Sequence, residues 1–374
     1  MPGNPPRVAV VEPWMGGSHA AFADGLSRST GLACDVVGLP PRSWQWRMRL
    51  ASIRLAPALD ALDPAPDVLL ATDYVNLPAL VAASRVAARA PAVLYFHENQ
   101  LTYPRRRGGA KGDPEFGGIN LLSCLAAARC VFSSHHQRAA FFDAAFEYMA
   151  HDDSVDAAAA VGGLEEKSEV LPPGFDAARF DTARGRRSDR RGRPLRVVWP
   201  HRFDHDKNPD DLFRTLAELA AEGLAFEIAA LGRPSAELPP VMSKARGALG
   251  DRVVAWGHLD GDAYAAALAA SDVVVSTAYQ ETFGLAVVEA IRAGCAPLLP
   301  RRLSYPELLG ANGDGRLYDN RGHLKRTLRK MMRDPDAVRA ANAGLWREME
   351  RFSWGVVGPR FREMLIEVAA EGHR

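Results

Sequence analysis

Twice along this chain, short runs of Val, Leu, Ile and Ala alternate with stretches of helix length, and between the two series the alternation breaks. Arg7–Glu12 (RVAVVE), Ala33–Gly38, Asp67–Ala71, Pro91–His97 (PAVLYFH) and Cys130–Ser134 read as strands, with helices up to about residue 29 and over 76–88, 116–128 and 135–149. A strand covered on both faces carries a continuous apolar run instead of an alternating one, and such strands between helices mark a parallel sheet. The pattern stops at 151–166, which is polar and rich in Ala and Gly, and returns for one short strand at 169–173. Residues 181–194 (DTARGRRSDRRGRP) have no apolar period and read as a flexible, basic linker. The alternation then restarts, with strands at 195–200, 225–231, 252–255, 272–276 and 296–299 and helices at 209–222, 262–270 and 283–293. Three further helices are expected over 320–333, 335–350 and 353–370.

The fold class is therefore α/β, with two Rossmann-like, doubly wound domains expected to face each other across a cleft. The 374 residues suit two domains, since one domain usually takes roughly 100–200. The boundaries expected are 1–180 for the first domain, 181–194 for the linker, 195–352 for the second domain, and 353–374 for a last helix that returns to the first. Ligands of such sheets sit beyond the carboxyl ends of the strands, where loops meet helix N-termini.

A hydrophobic fraction of 47% excludes global disorder, and a net charge of +1 points to no particular partner by itself. Six lysines leave 40 of the 46 basic residues as arginine, a bias that weakens any argument from arginine counts alone. Cys34, Cys124, Cys130 and Cys295 form no CxxC and no zinc spacing, so they read as small buried hydrophobes in a reducing compartment. The first residues hold three prolines and no apolar stretch of a signal peptide, and no apolar run is long enough to span a bilayer. A cytoplasmic protein without stable membrane insertion is expected.

The strongest chemical signal lies after the strand that ends at Ser276. Glu281-Thr282-Phe283-Gly284-Leu285 leads into a helix that carries Glu289, an E-x7-E arrangement at a strand-to-helix junction. Both carboxylates can point into one pocket from different depths, and the N–H groups near Phe283, Gly284 and Leu285 start a helix and can receive phosphate. A second signal, WPHRFDHDKNP at 199–209, follows the first strand of the second half. Arg202 offers a planar fork and Lys207 a compact charge, the pairing that a diphosphate needs. In the first half, Gly16-Gly17-Ser18-His19 makes a glycine turn between strand and helix, and His97-Glu98-Asn99-Gln100 crowds polar groups at another strand end.

The Arg202/Lys207 and E-x7-E segments resemble the family 4 glycosyltransferases of GT-B fold. The resemblance implies that Arg202 and Lys207 hold the donor diphosphate, that Glu281 contacts the donor hexose and that Glu289 holds the nucleotide ribose. It also implies retention of anomeric configuration and no metal requirement. With GGSH, PRSWQWRMR at 41–49, YFHENQLTYP at 95–104, WPHRFDHDKNP and FSW at 352–354, the chain resembles from end to end the tRNA-queuosine α-mannosyltransferases. That resemblance implies GDP-mannose as donor and the cyclopentenediol of queuosine at the wobble position of tRNA-Asp as acceptor. His97 is then expected near the transferred sugar, with Gly16 and Gly17 on the donor and His19, Asn99 and Gln100 on the donor or acceptor.

An RNA acceptor needs a basic, partly aromatic surface. Arg42, Trp44, Trp46, Arg47 and Arg49, the run Arg105, Arg106 and Arg107, and the six arginines from Arg184 to Arg193 are the candidates. Two alternatives stay open on the residues alone. QWRMRLASIRLA at 45–56 also suits a membrane-associated helix, and so a glycosyltransferase with a lipid or small-metabolite acceptor. A sugar-nucleotide epimerase shares the fold, although the hexose-contacting loop and HENQ argue against it. Oligomeric state is not legible in the sequence.

Overall fold

The computed structural model describes residues 4–104, 113–234, 238–342 and 344–372. The chain divides into two compact units, the first formed by Met1–Gly174 with Trp354–Arg374 and the second by Phe175–Ser353.

The first unit is built on a parallel sheet of β1 (Arg7–Glu12), β2 (Ala33–Gly38), β3 (Val68–Thr72), β4 (Ala92–Phe96), β5 (Arg129–Phe132) and β6 (Ser168–Val170), in the order β2-β1-β3-β4-β5-β6. Successive side chains of a strand face opposite ways, so a continuous apolar run feeds two cores. On one face Ala9, Val11, Leu69, Ala71, Leu94, Phe96 and Phe132 pack with Leu55, Leu59, Leu121 and Phe141 from the flanking helices. On the other, Val8, Val10, Leu70, Val93 and Tyr95 pack with Phe22 and Leu26 and with Val357, Phe361 and Leu365 of the helix Trp354–Glu371. That last helix therefore completes the first unit. The Phe361 ring lies 5.6 Å from Phe22 and 5.7 Å from Tyr95 between centroids.

The second unit repeats the plan with β7 (Leu195–Trp199), β8 (Phe226–Leu231), β9 (Val253–Gly257), β10 (Val273–Val275), β11 (Ala296–Pro300) and β12 (Leu317–Tyr318), in the order β12-β11-β10-β7-β8-β9. Strand order reverses between β1 and β3 in the first sheet and between β7 and β10 in the second. Each reversal opens a crevice at the carboxyl ends of those strands, where α/β sheets bind ligands.

Several expectations are corrected. Residues 151–166 are not an interruption: Asp156 caps a helix over Ala157–Glu166, which buries Ala157 and Leu164. Residues 181–194 are not a loose linker. A helix over Ala177–Gly185 runs into them and buries Phe180, and the division between units falls earlier, at Gly174/Phe175. Arg187 and Arg190 are fastened down, while Arg186, Arg191 and Arg193 stay exposed. Arg187 and Arg190 reach the buried carboxylate of Asp272 at 3.0 and 3.3 Å, and Arg339 joins them at 2.9 Å. Arg187 also donates to the carbonyl of Gly294 at 2.6 Å. The helix expected over 335–350 is two pieces, Pro335–Ala341 and a tighter turn over Leu345–Phe352. The two-residue β12 was not anticipated, being too short to carry a period.

Candidate active site

In the first unit, three neighbouring strands deliver the polar groups. β1 ends on Glu12, β3 is followed at once by Asp73, and β4 by His97. Gly16 caps the helix Gly17–Ser29, whose first turn brings His19 back over the sheet. His19 Nδ1 lies 3.0 Å from Glu12 Oε2, and His97 Nε2 lies 3.9 Å from the same oxygen. The two imidazole rings are 4.1 Å apart, and His19 stacks on Tyr74 at 5.2 Å. The Tyr74 hydroxyl donates to Glu98 Oε1 at 2.6 Å, while the His97 N–H donates to Asp73 Oδ1 at 2.9 Å. Glu12, Asp73 and His19 are all buried.

Burial sets the charges here. It opposes a charge on His19, but Glu12, Asp73 and Glu98 outweigh it and lift His19 to about 9. His97 goes the other way, held well below the ordinary histidine value by burial and by the neighbouring His19 cation. Burial also pushes the Asp73 carboxyl well above the usual carboxylate range, and its Oδ2 meets no hydrogen-bond partner among the described residues. At neutral pH the pocket thus holds a cationic His19 beside a neutral His97.

Glu12, His19 and His97 also offer three ligand atoms within 4.8 Å of one another, a grouping that fits a metal ion geometrically. A cation bound there would displace the proton between His19 Nδ1 and Glu12. Asn99 and Gln100, expected on a ligand, are buried and bonded inward. Asn99 accepts from the Thr102 N–H and hydroxyl, and Gln100 Nε2 donates to Glu98 at 3.0 Å.

In the second unit the strand end of β7 leads into a turn that holds Arg202 and Lys207. Asp204 caps the short turn His205–Lys207, and Asn208 takes a left-handed φ of 47° before the next helix. The Thr277 hydroxyl, beyond β10, donates to the carbonyls of Lys207 and Asn208 and so locks this turn to the E-x7-E loop. Lys207 Nζ then stands 3.2 Å from Asp206 Oδ2 and 3.5 Å from Glu281 Oε2, and donates to the Gln280 carbonyl at 2.7 Å. Arg202 lies 3.6 Å from Asp206 with its side chain 57% exposed. Burial opposes the Lys207 charge, but Glu281 and Asp206 outweigh it and raise its pKa.

Two glycines make this packing feasible. A Cβ on Gly232, at the end of β8, would sit 1.9 Å from the His201 carbonyl oxygen. Gly284, with φ of 98°, is the cap residue of the helix Leu285–Arg292, where a side chain would strain the backbone. Glu289 lies inside that helix and accepts from the Tyr264 hydroxyl at 3.2 Å; burial raises its pKa to about 7. The structure therefore joins Arg202 through Asp206 to Lys207, and Lys207 to Glu281, and gives Glu289 a separate partner. Phe283, expected on the donor, is buried in the core against Phe352 at 5.0 Å. Leu285 is half-buried at the helix start. Arg105, Arg106 and Arg107 lie outside the described residues.

Residues 7–175 match the family described as tRNA-queuosine alpha-mannosyltransferase N-terminal, and residues 184–344 match glycosyl transferases group 1. Across 377 aligned residues the chain is 30% identical to the tRNA-queuosine alpha-mannosyltransferase of Drosophila melanogaster, with 98% of each chain covered. The chain belongs to the tRNA-queuosine alpha-mannosyltransferase family. Like the rest of that family it is a glycosyltransferase. A D-inositol 3-phosphate glycosyltransferase of Salinispora tropica is 30% identical over 229 residues, 55% of this chain and 47% of its own length. Among solved structures, the sucrose-phosphate synthase of Thermosynechococcus elongatus superposes with a TM-score of 0.73 at 14% identity, covering 98% of this chain and 100% of its own. Anabaena HepE in complex with UDP and glucose gives 0.68 at 17% identity, covering 97% and 100%. The GT-B fold is thus common to this family member and to these glycosyltransferases.

The sequence left Glu12, Asp73 and Tyr74 out of the first unit's site, where Glu98 stood only as one of the HENQ run, and Asp206 and Tyr264 out of the second's. Glu12 was discoverable, because it ends an apolar strand run. Tyr74 and Tyr264 were not, since their roles come from contacts distant in sequence.

Proposed function

We propose that this enzyme moves mannose from GDP-mannose to the cyclopentenediol of queuosine at the wobble position of tRNA-Asp, with retention at the anomeric carbon. What carries this reading is the end-to-end relationship to the Drosophila enzyme, whose name specifies both the sugar and the modified nucleoside. The charge arrangement around Lys207 is consistent with it. The bond from the sugar C1 to the diphosphate breaks, negative charge grows on the leaving GDP, and Arg202 and Lys207 are the cations poised to take it. The acceptor hydroxyl attacks C1 from the same face, and its proton passes to a diphosphate oxygen. On this reading these side chains do the work of a cation and no metal is required. Glu281 meets the hexose, Glu289 the ribose, and neutral His97 offers a hydrogen bond to the sugar.

The site of action would be the cytoplasm, where tRNA is modified. Among the described residues no helix is long and apolar enough to cross a membrane. The test is incubation with GDP-mannose and queuosine-containing tRNA, in the presence of a chelator, followed by mass analysis of the nucleosides. The expected product is queuosine carrying one hexose. Unmodified queuosine at full nucleotide-sugar occupancy would overturn the acceptor, and loss of product with chelator alone would overturn the metal-free mechanism.

A further inference from the structure

The helix Trp44–Asp60 buries one face, through Met48, Ala51, Ser52, Leu55, Ala56 and Leu59. Its opposite face is unusual for a surface helix. Trp46, Leu50 and Ile53 follow one another at helical spacing and are 60%, 46% and 68% exposed. Arg47 and Arg54, seven residues apart, run along one side of that stripe. Residues 41–56 contain four arginines and no acidic residue. Arg49 is already engaged: it forms a two-pronged pair with Glu115 at 2.5 and 2.6 Å. Held so, it lies 4.4 Å from the Phe116 ring and 5.6 Å from the Trp46 ring, and props the exposed indole in place. Arg42, Arg47 and Arg54 form no ion pair among the described residues; Arg47 is half-buried and donates to the Pro40 carbonyl at 3.0 Å, and burial first, then repulsion from Arg54 and Arg42, lowers its pKa.

This face is continuous with the first unit's site. The Trp44 ring, at the helix start, lies 6.0 Å from Tyr74 and 5.1 Å from Phe116. Tyr74 in turn stacks on His19 and donates to Glu98. We propose that the outer face of the helix Trp44–Asp60 is the RNA-binding surface of this enzyme, with Trp46 stacking on an unpaired base and Arg42, Arg47 and Arg54 on backbone phosphates. The inference rests on the proposed tRNA acceptor and says where that acceptor is held. Unneutralised arginines match the charge of a phosphate backbone, and a fixed, exposed indole is the platform that single-stranded RNA uses. A lipid surface would engage the same stripe by inserting it, so vesicles belong in the test.

Wild type, Trp46→Ala, and Arg47→Gln with Arg54→Gln are compared in binding queuosine-containing tRNA at several salt concentrations. Trp46→Phe serves as the conservative variant, and GDP binding and thermal melting as controls of folding. Trp46→Ala is expected to weaken tRNA binding roughly tenfold or more, with Trp46→Phe recovering most of it. The double arginine variant is expected to flatten the dependence of log K on log salt by about 1.5, for two lost phosphate contacts. GDP affinity should not change in any of them. If wild type binds and modifies the tRNA but all variants match it, this surface is wrong while the function stands. If wild type neither binds nor modifies tRNA, the function fails and this inference with it. Flotation of wild type with anionic vesicles, lost in Trp46→Ala while tRNA binding is untouched, would assign the stripe to lipid and overturn the proposal.

Discussion

Lys207 and Glu281, 74 residues apart in sequence, meet at 3.5 Å between Nζ and Oε2. The ammonium also lies 3.2 Å from Asp206 and donates to the Gln280 carbonyl. It joins the turn after β7 to the loop that opens the helix of Glu289. Lys207→Met removes both the charge proposed to meet the diphosphate and the group that neutralises two carboxylates. A charge-assisted bond is worth about 1.5–3 kcal/mol, and every 1.4 kcal/mol is tenfold. The variant should therefore lose roughly ten- to a hundredfold or more in kcat/KM for the nucleotide sugar. Arg202→Ala should show a loss of the same sign. Steady-state kinetics with GDP-mannose checks this, and GDP affinity by calorimetry must fall in parallel; unchanged GDP affinity would remove Lys207 from the diphosphate site.

Glu289 gives a proton-linked prediction. In the free protein burial lifts its pKa from 4.5 to about 7. In the proposed role of Glu289, ribose hydroxyls donating to the carboxylate would favour its ionised form. GDP binding near pH 7 should then release a proton from the protein, visible as a dependence of the calorimetric heat on buffer ionisation enthalpy. The same shift acts on stability. Above about pH 7 the folded state holds a buried carboxylate that is solvated when unfolded, so stability falls as pH rises from 4.5 through 7. Glu289→Gln avoids that cost. It should raise the melting temperature at pH 8, leave it nearly unchanged at pH 4.5, and abolish the proton release together with tight GDP binding.

Much of the fold could be read from the residues because β1, β3 and β4 are covered on both faces and carry continuous apolar runs, and β7 and β8 are broken only near their starts, by Arg196 and Glu227. The places that failed share a physical cause. The helix Ala177–Gly185 buries little besides Phe180, so it leaves almost no period. It is held by contacts far along the chain, such as Arg184 donating to the Arg292 carbonyl. Arg202, Lys207, Glu281 and Glu289 were legible by spacing relative to strand ends. Asp73 was overlooked because a single aspartate after a strand commonly caps a helix, and only its neighbours Glu12, His19 and His97 give it another role.

The histidines of the first unit set an opposed pH dependence. His19 is raised to about 9, above its ordinary 6.5. Its pairing with Glu12 is fully stabilising below pH 6.5 and is lost as pH rises through 9. His97 is held well below 6.5 by burial, as is His201 in the second unit, lowered to about 3. These two stay neutral when folded but take up protons when unfolded below pH 6.5, so they cost stability in acid. Between pH 4.5 and 6.5 the raised carboxyls of Glu289 and Asp73 act in the opposite sense to these two histidines, so the slope that stands clear is the alkaline one from His19. Urea denaturation should show stability falling from pH 6.5 to 9, and His19→Gln should remove that fall; an alkaline slope that persists would mean His19 is not the group responsible.

Asp272 decides what the arginine-rich segment after residue 183 is for. Its side chain is fully buried, yet it carries a charge that Arg187, Arg190 and Arg339 share at 3.0, 3.3 and 2.9 Å. The Arg196 N–H donates to it as well, at 2.9 Å. Breaking a buried network from one side leaves the remaining charges without compensation, at a cost of about 3–5 kcal/mol. Asp272→Asn keeps the shape and removes the charge, so it should shift the urea midpoint strongly downward. Arg187→Ala should destabilise by a smaller amount, because two guanidinium groups still face the carboxylate. If these arginines serve the fold, Arg187→Ala leaves the salt dependence of tRNA binding as in wild type, at any temperature below its own melting point. A flattened slope in that variant, with an unshifted urea midpoint, would instead make Arg187 a phosphate contact and Asp272 a secondary partner.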